Sequence, residues 1–108
     1  MIYSTTETIH GKEIAEIVGV VTSNLVQAKH IGRDIMAGLK KIVGGEIGGY
    51  TEMLTDARDI AIERLVANAE VLGADAVAGI RFTTSAIMDG SSEIMVFGTA
   101  VKLKNNKS

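Results

Sequence analysis

The chain predicts a small α+β fold that associates with copies of itself. Three observations carry this: a long apolar helical segment from Thr51 to Leu72, a glycine at Gly73 that stops it just before the strand-like AVAGIRF, and an Asp89-Gly90 pair between two β-rich runs. The helix holds more apolar surface than one small sheet covers, so a second copy is expected to cover the remainder.

Taken in order, Met1 to Lys12 is polar and threonine-rich, with Gly11 as a breaker, and reads as an extended or loosely ordered arm. Ile14 to Val26, IAEIVGVVTSNLV, is long and β-branched and predicts a strand buried on both faces at its centre, with Gly19 as a bulge or close-approach point. After Ala28, Lys29, His30 and Gly32 break the pattern. RDIMAGLKKIV then repeats apolar residues at Ile35, Leu39, Ile42 and Val43, the spacing of a short amphipathic helix. Asp34 near its start and Lys40 and Lys41 near its end suit the helix dipole, and Gly44 and Gly45 supply the stop.

In the long helix, Glu52, Asp56, Asp59, Glu63 and Glu70 form a narrow acidic stripe, and apolar residues fill an arc of roughly 200°, about twice what a surface helix needs. Ala57, Ala61 and Ala69 permit close backbone approach on one side, whereas Met53, Ile60 and Val71 make a bulkier second edge. Arg58 and Arg64 fall inside the apolar arc, so each is expected to snorkel outward or to meet a carboxylate, including one from another subunit.

Asp89-Gly90 predicts a two-residue hairpin turn that pairs Met88 with Ser91. A regular ladder from that turn sets Thr84 opposite Met95, Phe82 opposite Phe97, Ile80 opposite Thr99 and Ala78 opposite Val101, all on the face beneath the helix. Gly79, Arg81, Thr83, Ser85, Val96, Gly98 and Ala100 then share the other face, where the small residues and Arg81 suit contact with another subunit. Asn105 to Ser108 is expected to fray.

The 108 residues fit one domain, 1–108. Interspersed charges summing to −2, from 11 basic and 13 acidic residues, leave no footprint for nucleic acid or anionic lipid. Neither a leader pattern nor an apolar run near the roughly 20 residues of a membrane span is present, which predicts a cytoplasmic protein. Without cysteine there is no disulfide, thiol nucleophile or thiolate metal site. Proline is absent too, so the twelve glycines supply the punctuation.

IHGKEIAEIVGVV, RDIMAGLKKIVGGEIGGY, ARDIAIERLVANAEVLGADAVAGIRF and GTAV, in that order over nearly the whole chain, resemble the YbjQ-like family of small bacterial proteins, catalogued as heavy-metal-binding domains of unknown function. The resemblance implies a dodecin-like β-α-β-β subunit, an antiparallel sheet packed against one long helix, and assembly as a ring, a homopentamer. It implies no reaction. The expected role is structural or binding, with a junctional small-ligand or heavy-metal site as the alternative.

Heavy metals prefer thiolates or imidazoles in sets of three or four, and the chain offers only His10 and His30. The plainer reading of each is a solvent-facing histidine; a metal site requires His30, aided by Asp34, to repeat around a symmetry axis. No other cofactor is implied. In VGGEIGGY, Gly44, Gly45, Gly48, Gly49 and Tyr50 precede a helix and suggest either an anion cradle or a turn between two helices. The segment lacks the GK[ST] ending of a phosphate loop. No enzyme is expected: the helix carboxylates form a solvated stripe, and Ser85, Ser91 and Ser92 have no identifiable histidine partner.

Overall fold

A computed structural model describes residues 1–28, 42–43, 46–47, 50–88 and 91–105. Strands β1 (Ile2–Tyr3), β2 (Ile14–Ala28), β5 (Ala76–Met88) and β6 (Ser91–Leu103) form one mixed sheet in the order β1-β5-β6-β2. The β5–β6 and β6–β2 pairs are antiparallel, and β1 runs parallel to β5. A single described helix, α1 (Tyr50–Val71), packs on one face, and the short strands β3 (Ile42–Val43) and β4 (Glu46–Ile47) pair with each other. The α+β class stands, but the sheet is mixed where an all-antiparallel one was expected.

Burial on α1 follows its small residues. Ala57, Ala61, Leu65 and Ala69, spaced by four, are buried against Val21, Val77, Ile80, Ile94, Val96 and Ala100. Three alanines among these four residues bring the helix backbone close to the sheet, and Leu65 fills the space between them. The helix ends as its glycine predicts. Gly73 has φ +79°, its N–H donates to Glu70 O at 2.9 Å, and Ala74 N–H reaches back to Ala69 O at 3.1 Å, the paired bonds of a Schellman cap.

The hairpin register starts as predicted, with Met88 opposite Ser91, and then departs twice. An irregularity between Ala86 and Met88 sets Phe82 opposite Val96, Thr83 opposite Met95 and Thr84 opposite Ile94. A second, between Ala78 and Arg81, sets Ala78 opposite Thr99. Gly79 lies in that second step with φ +64°, a left-handed conformation that glycine enters without steric cost. Each extra residue reverses the alternation of side chains. Val96, Gly98 and Ala100 therefore lie on the core side with Val77 and Ile80, not on the outer face assigned to them. The bulge anticipated at Gly19 is present as a register shift between Ile17 and Gly19.

Strand β2 is buried on one face only, against expectation: Val21 and Ser23 are covered by the helix while Val20 and Thr22 are exposed. The N-terminal arm is tied down. Ser4 N–H donates to Val77 O, Gly79 N–H to Thr6 O and Ile80 N–H to Ser4 O, so the arm takes up backbone groups around the Gly79 bulge. It also supplies Ile9 to a second small core with Ala76, Ala78 and Val101. Of the expected helix RDIMAGLKKIV, residues 33–41 lie outside the described residues, and Ile42–Val43 is a strand. β4, paired with β3, lies in the stretch read as a turn between helices. Of the expected frayed tail, residues 106–108 also lie outside the described residues.

Candidate functional site

Restored alternation after Gly79 points Ile80, Phe82 and Thr84 toward α1, and the pairing of Thr84 with Ile94 places that residue beside them. Toward its N-terminal end α1 carries Leu54 and Arg58, one turn apart on the same side. Leu54, Arg58, Phe82, Thr84 and Ile94 line a cleft of about 260 Å³ between helix and hairpin. Its walls are apolar: Ile94 is buried at the base, and Leu54 and Phe82 are partly open at the mouth. Among the described residues Arg58 is the one charged group in the lining, and its Nη2 donates a long 3.4 Å bond to Thr55 Oγ1.

The other two arginines singled out in the sequence serve different places. Arg64 Nη1 donates to Asn24 O at 3.0 Å, and Asn68 Nδ2 donates to Thr22 O at 2.9 Å. Both satisfy carbonyls of β2, whose only sheet neighbour among the described residues is β6. Arg81 Nη1 donates to Thr5 O and Ile80 O, both at 2.8 Å, and so pins the N-terminal arm. Each arginine is exposed, so within one chain none forms the buried ion pair considered above. Tyr50 is the first residue of α1, one turn before Leu54. Gly44, Gly45, Gly48, Gly49, His30 and Asp34 lie outside the described residues.

Phe82 and Thr84 were expected beneath the helix and Arg58 within its apolar arc, but no pattern in the sequence joined them. Leu54 and Ile94 were missed as lining residues because nothing local distinguishes them from core. Among the described residues no group of three His, Cys, Asp or Glu side chains gathers, and His10 is exposed on the arm. Among those residues, too, no helix is long and apolar enough to cross a membrane.

The family model YbjQ_1, described as "Putative heavy-metal-binding", matches residues 1–104. This chain belongs to the YbjQ family. A "UPF0145 protein" of Colwellia psychrerythraea is 89% identical over 96% of this chain and 99% of its own length. Another from Thermotoga maritima is 58% identical, covering 96% and 98% respectively. Among solved structures, a Pediococcus pentosaceus protein of unknown function from the DUF74 family matches with TM-score 0.59 at 21% identity, over 96% of this chain and 98% of that one. That likeness concerns fold alone. The heavy-metal description of the YbjQ family does not fit the donors of this member that are described: the chain has no cysteine, and among the described residues no three His, Asp or Glu side chains gather.

Proposed function

We propose that this YbjQ-family chain is a cytoplasmic bacterial protein that works as a homo-oligomeric ring, a pentamer of dodecin-like subunits, with a binding role and no catalysis of its own. The observation that carries this is the apolar surface left open on a single protomer. Ile17 is 71% exposed and Val20 74% along β2, and on α1 Val71 is 86% exposed, with Ile60 also open. Covering these side chains with a second copy would remove that apolar surface from water.

Shape supports the same reading. The radius of gyration is 17.4 Å, against about 13 Å for a compact domain of this length, and the extents are 60 × 29 × 17 Å. An accessible surface of 7453 Å² exceeds by roughly 1,700 Å² that of a compact monomer of this mass. A ring member has two neighbours, and two standard half-interfaces hide about that much. Among the described residues strand β2, 15 residues long, is also an edge of the sheet, where a second copy could add. Arg64 shares the side of α1 that carries the open Ile60 and Val71, which such a neighbour would cover, and Arg81 lies toward the opposite edge of the sheet, whereas Arg58 lies on the other side of the helix, at the cleft. Pentamer number rests on the family resemblance.

Native mass measurement tests the assembly directly. A ring mass at micromolar concentration is expected; a folded lone protomer under those conditions overturns the reading.

A further inference from the structure

The cleft between α1 and the β5–β6 hairpin has a chemistry of its own, and we propose that it binds a small amphipathic monocarboxylate, with Arg58 as the partner of the carboxylate. This rests on the binding role proposed above and names the ligand class.

Size comes first. A closed apolar cavity of about 150 Å³ holds a benzene ring, so about 260 Å³ accommodates on the order of ten non-hydrogen atoms. That excludes a dinucleotide and fits a medium-length acyl chain or a single substituted ring. Leu54, Phe82 and Ile94 line the cleft with carbon, which favours an apolar body; Thr84 adds one hydroxyl.

Charge decides the head group. A guanidinium presents two parallel N–H groups that match the two oxygens of a carboxylate. Arg58 Nη2 is engaged by the long bond to Thr55, and a carboxylate at the rim offers the fork a shorter, charge-assisted alternative. Among the described residues one cation, Arg58, lines the cleft, enough to match a single negative charge. A phosphate ester brings more than one negative charge to an apolar cleft with one cation and leaves part of that charge unpaired, so a monoanion is selected over it.

Octanoate, with about ten non-hydrogen atoms, is the probe, and octanamide is its neutral counterpart. Titration followed by protein amide shifts is expected to show octanoate binding more tightly than octanamide, with shifts centred on Arg58 and Thr84. Arg58→Gln is expected to weaken octanoate by about 10- to 100-fold and to leave octanamide unchanged. Phe82→Ala, at a half-open position, is expected to weaken both by about tenfold. No octanoate binding, equal affinity for acid and amide, or indifference to Arg58→Gln overturns the proposal. Competition by inorganic phosphate at matched concentration overturns the monocarboxylate class. Native mass is read on the same samples: a ring that ignores octanoate removes the ligand class and leaves the assembly standing, and a lone protomer that binds octanoate does the reverse.

Discussion

Ser23 Oγ donates a hydrogen bond to the carbonyl oxygen of Ala61 at 2.5 Å, joining the middle of β2 to the middle of α1. Ser23 is 5% exposed and Ala61 is fully buried, so the contact is sealed from water. A hydroxyl fits here because it is small and carries its own donor. Ser23→Ala keeps the volume and loses one net hydrogen bond, an expected cost of about 1 kcal/mol. Ser23→Val adds a branched apolar group where the helix already approaches closely, and the cost is expected to reach about 1–3 kcal/mol. Urea unfolding of both variants checks the order, and equal midpoints for the two would refute the close-approach account.

Gly98 is fixed by space. A Cβ there would lie 2.7 Å from Val77 Cγ1, 3.1 Å from Ala78 O and 3.2 Å from Ile80 Cγ1, with backbone among the obstacles. Gly98→Ala is therefore expected to cost about 1–3 kcal/mol through overpacking. Gly79 is fixed by conformation instead: no described atom lies within 4 Å of the place a Cβ would take, yet φ is +64°. Gly79→Ala is expected to cost about 1–2 kcal/mol through backbone strain. Shortening Val77 to alanine removes the nearest obstacle to a Cβ at position 98. Val77→Ala combined with Gly98→Ala is thus expected to be less destabilising than the sum of the two, while Val77→Ala with Gly79→Ala is closer to additive. Denaturant double-mutant cycles measure the difference.

Local signals were legible where one residue determines the geometry. Gly73 announced the helix end, Gly19 the bulge in β2, and the turn after Met88 the first hairpin pair. The face assignment was not legible, because an irregularity between Ala86 and Met88 has no compositional mark and each such step inverts all that follows it. Gly79 was visible as a small residue, but not as the second inversion. Of the two readings of the arm, extended or loosely ordered, composition could not choose, because what ties it down is backbone bonds to Val77, Gly79 and Ile80, to which threonine-rich composition is blind. Of the cleft, Arg58 stood out as a cation in an apolar arc, whereas Leu54, Phe82, Thr84 and Ile94 converge from three elements only on folding.

Metal removal gives a further expectation. With no cysteine and two histidines in 108 residues, a chain of this composition lacks the donors for a tight soft-metal site of its own. Chelator treatment is expected to leave the melting temperature and the native mass unchanged, and His30→Ala to leave zinc and copper titrations by calorimetry as they are in the parent chain. A loss of stoichiometric zinc binding in His30→Ala would establish instead a ring site built from His30 and its symmetry copies.

Val71 offers the sharpest separation of assembly from folding. It is 86% exposed in the last turn of α1, so a single protomer gains almost nothing from its apolar side chain. Lysine has the higher helix propensity, and a cation in the last turn complements the helix dipole by about 0.3–1 kcal/mol. Val71→Lys is therefore expected to leave the protomer as stable as before or slightly more so. Against a neighbouring subunit the same lysine places a charge in an apolar contact, where an unpaired ion costs several kcal/mol. Native mass is expected to fall toward the protomer while far-ultraviolet circular dichroism stays constant. Because an assembled protein is stabilised by its own concentration, the parent's melting temperature is expected to rise with concentration and the variant's to stay flat. An unchanged ring in Val71→Lys would show that this end of α1 faces solvent in the assembly and would move the interface to β2.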